Sequence, residues 1–308
     1  MTAHESGITV VVALISGQTA DLERCLAALR AQRDAPSIDV LVPYDEPCRD
    51  VLRLGAAFPE VRFLPLTGVD TRRGRAGGSH EHHHLLRTLG IAAATGETVA
   101  LTEDHAHVAP QWCASLLAAL QSHPRAAGVG GAIEWDGDTL LSYAVYLCDF
   151  GRYQNPLPEQ ASPFVSDTNV AYRRHVLEEI RAAWAEQYSE IVAHEALAHR
   201  GYELWLTPDA VSWQRRRGMR WRSALRERVV WGRSYGSARL RHAGTMRRYA
   251  YAAGTLGLPF LLTWRIVAGV WRRRRRVGLT VRAVPALLIL TAAWSLGESL
   301  GYLTRRAG

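Results

Sequence analysis

Lysine is absent from the 308-residue chain, and the absence removes several chemistries at once. Schiff-base formation, a lysine nucleophile and the phosphate-gripping lysine of a Walker-type loop are all excluded. All 37 fixed cationic side chains, and so the formal net charge of +8, are therefore arginine. Cysteine is scarce as well. Cys25, Cys48, Cys113 and Cys148 are scattered without CxxC spacing, which predicts reduced core thiols of a cytoplasmic protein rather than a zinc site or a disulfide frame. There is no internal repeat and no low-complexity linker before the arginine-rich region, and no signal peptide is expected before Ile8. At 48% hydrophobic and 21% charged the chain is globular rather than disordered. Its length allows one large α/β core with an appended segment, or two small domains.

Strand and helix alternate through the first hundred residues. Ile8 to Ile15 is a β-branched run, read as a buried first strand, and Leu22, Cys25, Leu26 and Leu29 then recur at helical spacing. Further strands are expected at Ile38 to Val42, Val61 to Leu66 and Thr98 to Leu101, with a helix from His84 to Ala94 and a Gly- and Arg-rich loop, Gly68 to Ser79. Short loops between alternating elements predict a parallel sheet. Later elements are expected at Ala126 to Trp135, Val165 to Tyr172, Arg174 to Trp184, Glu190 to Arg200, and Glu203 to Leu206, the last closed by Pro208.

The apolar run Thr98 to Leu101 stops at Glu103-Asp104-His105, three consecutive side chains able to bind a cation or titrate. Open α/β sheets bind ligands at the carboxyl ends of their strands, so the triplet is the leading candidate site. The plain structural alternative is a polar turn before the helix that Pro110 and Trp112 open. Side chains alternate along an extended segment, so Glu103 and His105 would point one way, and Asp104 elsewhere unless the strand has already broken. A Glu/His pair suits manganese or another borderline cation.

Four segments carry a likeness to a known family: VVVALISGQTADLERCLAAL, IDVLVPYDEP, LLRTLGIAAATGETVALTEDHAHVAPQW, and SDTNVAYRRHVLEEI followed by YSEIVAHEALAHRGYELWLTPDAV. Together they resemble a family 2 glycosyltransferase of the GT-A nucleotide-sugar fold. The resemblance implies an α/β fold with a mostly parallel central sheet, a nucleotide diphosphate-sugar donor, and a divalent metal, manganese or magnesium. It puts Ser16 in the nucleotide-contacting turn, Asp45 at the base, and Arg87, Glu103 and Asp104 with the donor. It makes Glu103, Asp104 and His105 metal ligands, with Gln214 standing where the family has a further histidine ligand. The chain departs from the pattern at Ala13-Leu14-Ile15-Ser16, where the family has Pro-x-Tyr-Asn, and at Tyr44, which replaces one of two acids. An amide at 214 is a weaker ligand, so either a loosely held metal or arginines could neutralise the diphosphate.

Breaking the bond to the anomeric carbon requires stabilising the leaving diphosphate, and the acceptor hydroxyl requires a base. Direct displacement inverts the anomeric centre, so one well-placed carboxylate suffices. The family places its catalytic acid about eleven residues before the glycine represented here by Gly201, which lands on Glu190. A solvated acid at a helix start is the plain alternative for it. Glu195 and Asp167 are fallbacks. His194, at i+4 from Glu190, would orient or tune that carboxylate. The tract His80-Glu81-His82-His83-His84 is either a metal-binding run or a loop entering the Arg87 helix.

From Gln214 to Arg248 there are twelve arginines and a single acid, Glu227, and Arg272 to Arg276 is an unbroken run. Two apolar segments, Tyr249 to Trp271 and Ala283 to Leu303, are each long enough to cross a bilayer. Either they span, with Arg265 and Glu298 paired or snorkelling, or they lie in one leaflet against anionic head groups. These features divide the chain into a catalytic domain (1–217), a basic interfacial segment (218–248) and a hydrophobic hairpin (249–308). The expected protein is a cell-membrane glycosyltransferase with its catalytic domain facing the cytoplasm and a lipid-linked or cell-envelope glycan acceptor. The alternative is a non-catalytic, membrane-anchored sugar-nucleotide-binding or assembly subunit, since fold does not guarantee activity. Nucleic-acid binding is not expected, because no recognised motif accompanies the charge.

Overall fold

A computed structural model describes residues 7–68, 80–240 and 244–304. The loop predicted at Gly68 to Ser79 lies almost wholly outside them, as do the side chains of His80, Glu81 and His82 in the histidine tract. The chain forms two compact units, Met1–Glu134 with Asn155–Arg215, and Trp135–Gln154 with Arg216–Gly308.

The first unit is built on a mixed sheet. Its elements are β1 (Ile8–Ala13), α1 (Thr19–Arg30), β2 (Ile38–Tyr44), a 3-10 helix (Glu46–Ala56), β3 (Val61–Pro65), α2 (His80–Ala93), β4 (Thr98–Glu103), β5 (Ala106–Val108), α3 (Trp112–Ser122) and β6 (Ala126–Gly137). After an excursion into the second unit, which holds α4 (Leu140–Phe150), the chain returns with β7 (Gln160–Ser162), β8 (Val170–Arg173), α5 (Arg174–Glu179), α6 (Glu190–His199) and β9 (Glu203–Arg216). Strand order is β3-β2-β1-β4-β8-β6-β9-β5, with β7 also on β9. The first four strands are mutually parallel, and β8 joins β4 antiparallel. Every residue of β1 is buried, as a continuous β-branched run covered on both faces should be. Leu22, Leu26 and Leu29 of α1 and Trp112 and Leu116 of α3 are buried with it in one core.

One strand exceeds its predicted length. Pro208 was expected to close the strand begun at Glu203, yet β9 runs on to Arg216. Proline lacks the ladder N–H, and Pro208 falls between the residues that pair with β7 (Leu204 to Leu206) and those that pair with β5 (Ser212 to Gln214).

The second unit is helical: α4, then α7 (Trp221–Arg239), α8 (Thr245–Gly254), α9 (Leu258–Arg273) and α10 (Val277–Thr304). Periodicity reading had no element at α4. Thr139 starts it with a capping box, its side chain accepting the Ser142 N–H at 3.1 Å. The apolar segment predicted at Tyr249 to Trp271 is interrupted by a 3-10 turn at Thr255–Gly257. Counting that turn within the helix, Thr245–Arg273 and Val277–Thr304 are long and apolar enough to cross a membrane by length and composition.

Helices α7 and α10 touch backbone to backbone. Gly232 and Gly236 on α7 face the backbone of Trp294 and Glu298 on α10, and Gly297 and Gly301 on α10 face that of Val229 and Arg233 on α7. An added Cβ at Gly297 would stand 2.1 Å from the Val229 carbonyl oxygen, and one at Gly232 would stand 2.2 Å from that of Trp294. Two small-xxx-small ridges thus interlock. Glu298 lies beside this crossing, buried, accepting from Trp294 Nε1 at 3.0 Å and from the Tyr302 hydroxyl, with Arg239 at 3.7 Å. Of the alternatives left open for Glu298 and Arg265, mutual pairing is not the one observed: Glu298 takes its partners from α7 and α10, and Arg265 is exposed. A buried carboxylate needs such partners, since its desolvation is otherwise uncompensated.

Candidate active site

The carboxyl ends of β1, β2 and β4 share one edge of the sheet, with Ala13 in register with Glu103. Past that edge the β4 strand breaks at Asp104-His105 before β5 begins. Because it breaks there, Asp104 turns inward. It is fully buried and its carboxylate accepts four hydrogen bonds from the turn after β1: Ile15 N–H and Ser16 N–H at 3.0 Å on Oδ1, Ser16 Oγ–H at 2.8 Å and Gly17 N–H at 2.9 Å on Oδ2; His105 Nδ1 lies 3.3 Å from Oδ1 as well. Gly17 has φ +63, a conformation in which a side chain is strained, and this lets three successive N–H groups converge. Burial pushes the Asp104 carboxyl up, but the bonds and charge from His105 and Ser16 outweigh it and hold the group below the usual carboxylate range. Asp104 and Ser16, expected at the metal and the nucleotide, are thus bonded to each other, and Asp104 shapes the turn after β1.

Glu103 and His105 occupy the other side of the break. His105 Nε2 lies 3.5 Å from Glu103 Oε2, and the opposite oxygen of Glu103 accepts from Arg87 Nη2 at 2.8 Å. All three side chains are buried. Arg87 is carried to this point by α2, which approaches the sheet closely at Gly90, where a Cβ would stand 2.2 Å from Val11 Cγ1. Burial works against the Arg87 charge, yet the negative charges of Asp167 and Glu103 outweigh it and raise the guanidinium pKa further.

Arg87 links this edge to the acceptor-side loop. Its Nε lies 3.2 Å from Asp167 Oδ2, and the Asp167 N–H donates to Glu190 Oε2 at 3.0 Å. A continuous line of polar contacts therefore runs His105–Glu103–Arg87–Asp167–Glu190. Glu190 is half-buried in the first turn of α6, after Ser189. His194 does face inward from the same helix, but its Nε2 meets the Tyr172 hydroxyl at 2.7 Å, and Tyr172 in turn meets Tyr188 at 3.2 Å. Burial and the nearby Asp167 charge push the Tyr188 hydroxyl well above its ordinary range, so it keeps its proton. Tyr172 and Tyr188 carried no sequence signal beyond their nearness to the SDTN segment and Glu190. Asp167, read only as a fallback base, proves to be the residue that joins the two halves.

Two further expected site residues stand outside this line. Asp45 is buried at the carboxyl end of β2, two strands from β4. Gln214 is fully buried on β9 opposite Ala106, and its amide oxygen and nitrogen both lack hydrogen-bond partners among the described residues. An orphaned buried amide costs about 1–3 kcal/mol, a cost that a polar ligand would remove. Among the described residues, no three His, Cys, Asp or Glu side chains form a metal cage. The pair Glu103–His105, with the Gln214 amide as a further donor type, does fit a cation of the kind completed by substrate phosphates. The cysteines play no part: all four are free thiols, and burial pushes Cys113 up to about 12.

The model of the family described as Glycosyl transferase family 2 matches residues 81–181, a span that contains Arg87, the Glu103-Asp104-His105 triplet and Asp167. No curated protein matches the chain. Among solved structures, the mannosyltransferase PcManGT from Pyrobaculum calidifontis, in complex with GDP-Man and Mn2+, superposes with a TM-score of 0.50 at 15% identity, over 92% of this chain and 86% of that one. The sheet edge with its acidic triplet thus lies in a segment similar to Glycosyl transferase family 2, and the α/β fold as a whole is GT-A-like.

Proposed function

We propose that this protein is a membrane-associated, inverting glycosyltransferase whose base is Glu190 and whose donor diphosphate lies against Glu103, His105 and Arg87. The observation that carries the reading is the polar line from His105 to Glu190. It spans from the sheet edge, where a donor diphosphate would lie, to the helix start, where an acceptor would enter. Glu190 holds its carboxylate by one oxygen on the Asp167 N–H, a bond that orients it without protonating it. Asp167, paired with Arg87, positions the loop that carries this N–H. Arg87 keeps its charge and stands ready to neutralise phosphate once Glu103 is drawn to a cation. Asp104 holds the Ile15–Gly17 turn, so that Ser16 and Gly17 present a fixed backbone surface to the nucleotide, with Asp45 on the neighbouring strand end as the base-side contact.

A divalent metal held by Glu103 and His105, with Gln214 as a weaker third donor, would stabilise charge on the leaving diphosphate. Manganese is the cation to test first, given the Glu/His pair and the Mn2+ in the archaeal mannosyltransferase structure. The acceptor is proposed to be lipid-linked or an envelope glycan, because the catalytic unit is fused to long apolar helices. The catalytic unit is proposed to face the cytoplasm.

The deciding experiment is Glu190→Gln in detergent-purified full-length protein. The side chain keeps its shape but cannot accept a proton, so donor affinity should hold while transfer falls by ~100-fold or more. Transfer at the parental rate would reassign the base, and Asp167→Asn would be measured next. Mn2+ binding by calorimetry should weaken in His105→Ala; unchanged binding there would remove the metal from this site.

A further inference from the structure

The four helices of the second unit that were read as interfacial or membrane-crossing are arranged in a way that decides between those two placements. Helix α10 is seated on polar-laden helices along its length. Near its start, Thr280 Oγ1 meets the Tyr143 hydroxyl of α4 at 2.9 Å. Near its end, Gly297 and Gly301 press on α7, which carries Arg222, Arg226, Arg228, Arg233 and Arg239. From Thr280 to Gly301 a helix rises about 32 Å, roughly the whole hydrocarbon thickness. A spanning α10 would drag those arginines into the bilayer, where a charged side chain near the centre is costly. The tip of the α9–α10 hairpin is tied down on the same side: Arg273 Nη2 donates to the Arg152 carbonyl at 2.7 Å, and Arg276 lies over the Trp135 ring at 5.2 Å. At the other end, Arg248 donates to the Tyr302 carbonyl.

The opposite face of the hairpin is apolar and uncovered. On α9, Phe260, Trp264 and Trp271 are 60–70% exposed, and their four- and seven-residue spacing puts them on one stripe. On α10, Ile289, Leu296 and Leu303 repeat at sevens and are about half exposed. Exposed Arg247, Arg265, Arg272 and Arg274 flank these stripes, and the only acid between residues 244 and 304 is Glu298, which is buried. An apolar face with a wholly cationic rim complements an anionic lipid leaflet.

We infer that the α8–α10 hairpin lies in the plane of one leaflet, its aromatic stripe among the acyl chains and its arginines on anionic head groups, and does not cross the bilayer. This deepens the membrane-associated reading above and rests on it. The test adds full-length protein to preformed vesicles of phosphatidylcholine with phosphatidylglycerol, or of phosphatidylcholine alone. Gly278, at the start of α10 beside the hairpin tip, has open space around it, so Gly278→Cys introduces a thiol without disturbing packing. A membrane-impermeant maleimide should label it to the same extent before and after detergent, above the background of the parent's Cys148. Phe260→Glu and Trp264→Glu, both at exposed positions, should weaken flotation with the mixed vesicles by ~tenfold or more.

Flotation with a thiol protected until detergent is added would overturn the in-plane placement and leave the membrane reading standing. Undiminished flotation on phosphatidylcholine alone would overturn the role given to the arginines. Failure to float on either vesicle would sink both the placement and the membrane reading; sedimentation as an assembly dispersed by Trp264→Glu would then assign the face to a second copy of the chain. Donor hydrolysis, measured separately, reports on the catalytic reading alone.

Discussion

Adjacent side chains in the triplet do unlike work, and the difference is measurable. Asp104 receives four donors from the β1 turn, so Asp104→Asn would set an amide N–H against a hydroxyl and an N–H that need an acceptor. Hydrogen bonds to a charged group contribute about 1.5–3 kcal/mol each in net terms. Losing about 3 kcal/mol in all should lower Tm by roughly 6–12 °C. His105→Ala should cost far less stability while cutting donor turnover at least ~tenfold. Thermal melts and donor-hydrolysis assays on both variants check this: a larger Tm loss in His105→Ala than in Asp104→Asn would reverse the two roles. The triplet was legible as a site in the sequence, but the division of labour inside it was not. It depends on where the strand breaks, and on the turn eighty-eight residues earlier in the chain.

At the scale of elements, the α7–α10 crossing is the contact most sensitive to a single atom. Gly297→Val puts a side chain against the Val229 carbonyl, so the helices must separate, at a cost of about 1–3 kcal/mol or more for overpacking. A Cβ added at Gly254, at the end of α8, would meet no described atom of another element within 4 Å. Gly254→Ala should therefore be neutral or stabilising by up to ~1 kcal/mol through helix propensity. Denaturant unfolding of both variants checks the pair, and equal destabilisation would show that backbone contact is not what makes Gly297 necessary. The GRSYG and GESLG segments were present in the sequence, but spacing alone does not say which helix meets which.

For the whole molecule, the boundary matters more than the element count. The domain boundary expected after residue 217 follows every strand of the sheet. The second compact unit, however, begins at Trp135 and includes α4, whose Leu141, Tyr143, Tyr146, Leu147 and Phe150 are all buried. Helix α4 packs on α10, so the truncated chain would expose that apolar surface to water, a patch of the kind that drives aggregation. The 1–217 fragment should be recovered mainly in aggregates, as measured by size-exclusion chromatography without detergent. A monodisperse fragment would show that α4 can be covered without α10.

What the sequence determined by itself follows from short-range rules. The β-branched runs of β1 and β4, the leucine spacing of α1 and the acidic triplet after a buried strand depend on local periodicity and on where parallel strands end. Those rules placed Glu103, Asp104 and His105 at a sheet edge, and the family resemblance added Arg87 and Glu190 to them. Tertiary structure decided what spacing cannot carry. It turned Asp104 inward, let Asp167 join Arg87 to Glu190, gave His194 to Tyr172, and left the Gln214 amide buried without a partner among the described residues. It also carried β9 past Pro208 and gave Glu298 its partners on α7 and α10 in place of Arg265. Each of these contacts joins residues far apart in the chain or selects one of several geometrically allowed partners. Periodicity is blind to that choice, because desolvation and hydrogen-bond satisfaction make it only once the elements are packed.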